Sequence, residues 1–232
     1  MYKYAAFMTL AATVCAVQAD TIDFSSLSHG DIVSEQYASN GVHISAINPN
    51  RPFDLAGIFD TRMTGTRDPD LEDTFDMGNI DGNTEIGNII IIQENNKGLP
   101  DDEGSRPAGQ LIFEFDMLIS SFGFDVVDLE SSTAERSSID FFRDGSLVES
   151  LNFADFETGG SMDQGMIFGN NSLNRMAMFD VLGGFDLAIF NVGGSMGFDN
   201  ISYDIHVVPL PGAATMAMVG LGGLGLYKRS RK

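Results

Sequence analysis

Residues 110–129 read QLIFEFDMLISSFGFDVVDL. In the first half Phe113, Phe115 and Met117 alternate with Glu114 and Asp116; in the second, Phe122, Phe124 and Val126 repeat the pattern. A period of two puts the apolar side chains on one face and the acids on the other, as a strand with one buried face requires. The spacing predicts two strands here, Gln110–Met117 and Phe122–Leu129. Outward from them, strand-like runs punctuated by Gly, Asp, Asn and Ser are expected at Thr21–Ser26, Val42–Ile47, Gly57–Thr61, Asn88–Glu94, Ser137–Arg143, Ser146–Phe153, Met166–Gly169, Met176–Val181, Phe185–Val192 and Phe198–Val207. The dipeptide Phe-Asp occurs eight times, from Phe53-Asp54 to Phe198-Asp199, and writes the same alternation locally. Asp144-Gly145 between two runs supports a hairpin, because both positions tolerate positive φ. Gly183-Gly184 and Gly193-Gly194 read as further turns between strands. With no long helical period outside the two termini, the expected fold is all-β: an antiparallel β-sandwich, jelly-roll-like.

The chain has 232 residues and is 43% hydrophobic, enough to build a core despite 33 acids. Charge is uneven. Residues 1–19 hold one Lys and no acid, and residues 209–232 hold four basic groups and no acid. The stretch between them carries all 33 acids against eight basic groups, a net charge of −25. Such a body is repelled by phosphate backbones, which excludes nucleic acid as a partner.

Both ends read as addresses. Tyr2-Lys3, an uncharged stretch from Tyr4 to Val17 and the small-residue spacing Val17-Gln18-Ala19 predict a signal peptide over residues 1–19. Signal peptidase is expected to cut between Ala19 and Asp20. Cys15, the single Cys, lies inside that segment, so the mature protein has no disulfide. At the other end Leu210 to Tyr227 is 18 residues without a charge, followed by Lys228-Arg229-Ser230-Arg231-Lys232. A helix of that length reaches about 27 Å, near the lower limit for a bilayer core. The basic end would stay cytoplasmic and leave the acidic body outside, on a transient inner-membrane anchor.

The string VPLPGAATMAMVGLGGLGLYKRSRK, residues 208–232, resembles a PEP-CTERM-type sorting tail of the VPLPA variant. Val208, Pro209, Leu210 and Pro211 match its proline motif, and Gly212 stands where that variant has Ala. The resemblance implies processing by an exosortase-type enzyme in a Gram-negative bacterium, with the body released or attached at the cell surface, often in an exopolysaccharide matrix. The body also resembles secreted β-sandwich modules that precede such tails, through IDFSSLSHGDIVSEQYASNGVHIS, FDTRMTGTRDPDLEDTF, GNIIIIQENNKGLPDDEG and GFDNISYDI. Three segments follow: residues 1–19 as signal peptide, 20–207 as acidic β-sandwich domain, and 208–232 as sorting signal.

Chemistry is most concentrated in residues 60–103, which hold twelve acids against Arg62, Arg67 and Lys97. Hard carboxylate oxygens in irregular loops suit Ca²⁺. Asp68-Pro69-Asp70 and Pro100-Asp101-Asp102-Glu103 offer two groups that an ion could clamp across the Asn88–Glu94 strand, and Asp60 stands nearby in sequence. The plainer alternative is solvated surface charge. Jelly-roll strand order also brings the chain's first and last strands together, making Asp23 and Asp199-Asn200 a second candidate pair. Catalytic signatures are missing. His29, His43 and His206 lack metalloprotease spacing, and no nucleophile elbow or phosphate-binding glycine loop occurs. The expectation is an exported, non-catalytic cell-surface or matrix protein, with Ca²⁺ and extracellular polysaccharide as candidate ligands. A lectin-like module, with Tyr37 and Tyr203 as sugar platforms, and a carbohydrate-active enzyme on the same fold are the alternatives.

Overall fold

The computed structural model describes residues 19–131 and 136–206. The expected signal segment (residues 1–18 within it) and the sorting tail, with Val208, Pro209, Leu210 and Pro211, lie outside the described residues. Among the described residues there is no α-helix, and none long and apolar enough to cross a membrane. Eleven strands run β1 (Asp20–Ile22), β2 (Ile32–Val33), β3 (Val42–Ile47), β4 (Ala56–Asp60), β5 (Met77–Gly78), β6 (Asn88–Ile92), β7 (Gly109–Val127), β8 (Ser138–Arg143), β9 (Ser146–Asn152), β10 (Ser172–Val192) and β11 (Gly197–Ile205). All ladders are antiparallel except the two-residue pairing of β5 with β10.

The opening stretch forms one strand, not two. β7 passes unbroken through Ser120-Ser121, and β10 passes through Gly183-Gly184, so those glycines are not a turn. Their φ values of 86° and 75° build a bulge instead. Asp180 pairs with Ser121 and Phe185 with Ile119, which leaves extra residues on β10 alone and Leu182 93% exposed at the crest. A bulge bends a strand, and here it divides the β7/β10 ribbon into two parts. The first part of β7 and the last of β10 are flanked by β3 on one side and by β8 and β9 on the other. The last part of β7 carries β11, and beyond β11 lie β1, β6, β4 and β2.

Aromatic rings close one part onto the other. Phe190 lies 4.5 Å from Phe198 and 4.9 Å from Phe124, and Phe115 lies 5.1 Å from Tyr203, each pair joining the two parts. These rings are almost fully buried, so each adds apolar burial together with a favourable edge or offset contact. A smaller core of Phe59, Leu71, Phe75, Ile89, Ile91, Val127 and Leu173 sits on a separate face. It explains a run that does not alternate in character: along Asn88-Ile89-Ile90-Ile91-Ile92, Ile90 and Ile92 enter the main core while Ile89 and Ile91 enter the second. The excursion between β4 and β6 supplies Leu71 and Phe75 to that second core, and so draws the acid-rich loop onto the sheet. Gly78 fixes the contact of that excursion with β10, since a Cβ there would lie 1.7 Å from the Leu173 carbonyl oxygen.

The Asp144-Gly145 hairpin forms as expected, with φ of 50° and 74°. Met166–Gly169 is not a strand; Met166 makes a single bridge to Glu157. Replacing Phe190 by Ala should cost about 3–5 kcal/mol, because it empties the junction between the two parts. Leu182→Ser at the exposed crest should stay within about 0.5 kcal/mol. Urea unfolding of both variants checks the pair.

Candidate functional site

Most acids of residues 60–103 have partners of their own. Asp60 takes both ends of the Arg62 guanidinium, at 2.7 and 2.9 Å, and that hydrogen bonding holds its carboxyl below the usual range. Asp81 closes a turn on Asn83, and Glu72 accepts the Thr66 amide at 2.6 Å. Asp70 accepts Asn170 at 3.1 Å. Asp101 faces Arg67 at 3.7 Å, yet burial, Glu94 and Asp68 push its carboxyl up. Glu103, 1% exposed, accepts Arg51 at 2.8 Å, Asn48 at 3.1 Å and the Ser105 amide at 3.0 Å. Asp60 and Glu103 are therefore ion-paired structural groups.

Asp68 and Asp102 differ. The two loops that carry them do meet: Asp68 Oδ2 accepts the Asp102 backbone N–H at 3.3 Å, and Asp102 forms a bridge with Gln93 just past β6. Two residues not expected from the sequence complete the group. Ser195, in the link from β10 to β11, lies 2.7 Å from Asp102 Oδ2 and 3.1 Å from Asp128 Oδ2. Asp128 directly follows β7, is 1% exposed, and accepts the Asn171 amide at 2.7 Å. A serine hydroxyl has one proton and can donate to only one of two carboxylates. The other contact needs a proton on a carboxyl group or a cation between them. Burial, then the neighbouring Asp68, pushes the Asp102 carboxyl well up, and burial pushes Asp128 up to about 8. The three carboxylates lie in file; among the described residues no three acidic, His or Cys side chains converge as a ready-made metal cage.

The second expected pair is also placed. Asp20 opens β1 opposite Tyr203 of β11, so Asp23 follows a strand paired with the last one. Asp199 stands in β11 directly opposite Asp125 of β7 and is 1% exposed. Burial, and then the charges of Asp125 and Asp23, push its carboxyl up to about 9. Ala19 precedes β1 and is exposed.

A groove of about 750 Å³ opens where β7 begins and β10 ends, with Ile47, Pro107, Gln110, Asn191, Arg106 and Arg136 among its walls. No carboxylate lines it among the described residues. Gln110 and Asn191 join across the strands at 2.8 Å, and Arg106 pairs with Glu130. Neither Tyr37 nor Tyr203 lines it. Tyr203 is 2% exposed, and Tyr37 packs edge-on against Phe24 at 5.7 Å.

No family model and no curated protein matches this chain. Among solved structures, the K2 cleaved adhesin domain of Lys-gingipain is similar over 81% of this chain and 98% of that one, at 10% identity and a TM-score of 0.42. A likeness so distant assigns neither ligand nor activity.

Arg51→Ala would leave Glu103 buried with two neutral donors and no cation. Unfolding in urea should show a loss of about 2–3 kcal/mol, less than for a fully buried pair because Arg51 is one-third exposed. Glu103→Gln, which removes the charge that needs pairing, should lose less.

Proposed function

We propose that the chain is an exported, non-catalytic module of the cell surface or the extracellular polysaccharide matrix. On this reading its tail directs delivery through an exosortase-type enzyme, and Ca²⁺ ties its acidic loops to a jelly-roll-like sandwich. The observation that carries the reading is where the most strongly perturbed carboxylates lie. Acid–base catalysis needs such a group in reach of substrate. Here Asp102 and Asp128 are 6% and 1% exposed, enclosed between loops. The open groove holds arginines and amides instead. The buried file suits a structural ion, because it has more carboxylate oxygens than donors and lies where the excursion between β4 and β6, the link before β7 and the β10–β11 link come together.

Carbohydrate binding is the second reading, and the groove favours it: Gln110 and Asn191 offer amides to hydroxyls, with Ile47 and Pro107 as apolar walls. Of the Tyr platforms expected for a lectin, Tyr203 is a core residue and Tyr37 is half-buried against Phe24.

Ca²⁺ should raise the thermal midpoint of the purified protein by about 5–10 °C at saturation, and EDTA should reverse it. Asp102→Asn, which removes the repulsion that an ion would otherwise neutralise, should leave the metal-free midpoint equal or higher and reduce the gain by the file's share. An equal gain in wild type and Asp102→Asn would overturn calcium at the file. For delivery, Pro209→Ala with Pro211→Ala should accumulate an uncut, membrane-associated precursor, read by fractionation and mass. Normal processing of that variant would remove the proline motif from the argument.

A further inference from the structure

Across β10, β7 and β11 the register sets Arg175, Asp125 and Asp199 side by side. Arg175 is spent on Asp125, with Nε at 2.7 Å and Nη2 at 2.6 Å, and Asn200 Nδ2 adds a third bond to that carboxylate at 2.8 Å. Asp125 is thereby satisfied. Its neighbour is not: Asp199 is 1% exposed, and its Oδ1 has no hydrogen-bond partner. A buried carboxylate oxygen without a donor or cation is costly, so it must take up a proton or a cation from outside the chain.

Phe198 faces the main core opposite Ile90, so Asp199 beside it lies on the other face of β11, next to Asp125. Asp23 follows the Ile22–Ile201 pair, at the end of β1 beside β11. Its Oδ1 accepts the Ser25 amide at 3.1 Å and the Ser25 hydroxyl at 2.9 Å, which leaves Oδ2 open. Asp23 and Asp199 both act electrostatically on the Tyr37 phenol, and Asp23 on Asp199 itself.

We infer that a divalent cation of the calcium class binds between Asp23 and Asp199, where the first and last strands meet. The charge count fits. With Asp199 ionised, as a bound cation would hold it, Asp23, Asp125 and Asp199 against Arg175 leave two negative charges, which one divalent ion balances. The donor set fits as well: carboxylate oxygens without nitrogen or sulfur are hard ligands, and Ca²⁺ accepts backbone carbonyls and water to fill an irregular shell. This site is separate from the Asp68–Asp102–Asp128 file and stands whether or not that file takes an ion.

The absence of Trp provides the test, because Tyr is then the sensitiser for bound Tb³⁺. Titrating purified protein with Tb³⁺ under tyrosine excitation should give saturable emission that Ca²⁺ displaces. Tyr37→Phe should dim the emission while Ca²⁺ affinity holds. Asp199→Asn and, at an exposed position that folding tolerates, Asp23→Asn should each weaken binding about tenfold or more. Asp102→Asn should leave the emission intact, so failure at the file and failure here read differently. Emission that is unsaturable, or unchanged in both Asp199→Asn and Asp23→Asn, would overturn the proposal.

Discussion

The pairing of β7 with β10 is the constraint on which the rest depends. Their ladder runs from Gly109 opposite Val192 to Val127 opposite Leu173, and a bulge near its middle turns it from one part of the sheet into the other. A straight ribbon of that length would expose one face. The bend lets Phe124, Phe190 and Phe198 meet, and so converts apolar alternation into a closed core. It also gathers the strand ends. Asp128 leaves β7 and Asn171 enters β10 in hydrogen-bonding contact, while Gly193 lines the groove and Ser195 bonds the file two residues later.

Buried acids divide into two kinds, and the difference lies in donors rather than depth. Asp125 and Glu103 are as enclosed as Asp199, yet each receives a guanidinium and at least one amide. Pairing of this sort offsets desolvation without adding much stability. Asp102, Asp128 and Asp199 have no such cation. In Asp60 and Arg62 the answer lies two residues away; for the file and for Asp199 it requires protons or an external ion. Where an acid-rich chain spends its few arginines is thus as informative as where it places its acids.

Local pattern made part of this legible. Val42–Ile47 is a strand to the residue, because its alternation faces a core on one side alone. In sequence the long strands read as two pieces each, since Ser120-Ser121 and Gly183-Gly184 look like breaks when only neighbours in sequence are considered. A bulge is distinguished from a turn by the partner strand, which no local window contains. β2 and β5, two residues each, carry too little pattern to be seen. Acid density singled out Asp68 and Asp102, and strand order brought in Asp23 and Asp199. Asp128 and Ser195 escaped because their role comes from contacts with residues 43 and more positions away. The Val126-Val127-Asp128 step, an acid closing an apolar run, was the one local trace.

On the proposed reading the two cation sites and the export signals support each other physically. An acidic body with unpaired buried carboxylates is least stable where divalent ions are scarce, and linkage makes its stability follow the ion. Extracellular calcium modules commonly bind at 10⁻⁴–10⁻³ M, affinities that leave a site empty inside a cell and filled outside it. The Asp23–Asp199 site would then join the ends of the domain, coupling β1 to β11 beyond their three paired residues. The file would hold the excursion between β4 and β6 onto its second core. An ion that closes the terminal strands and a second that seats the longest acidic loop would make completion of the fold coincide with arrival outside the membrane.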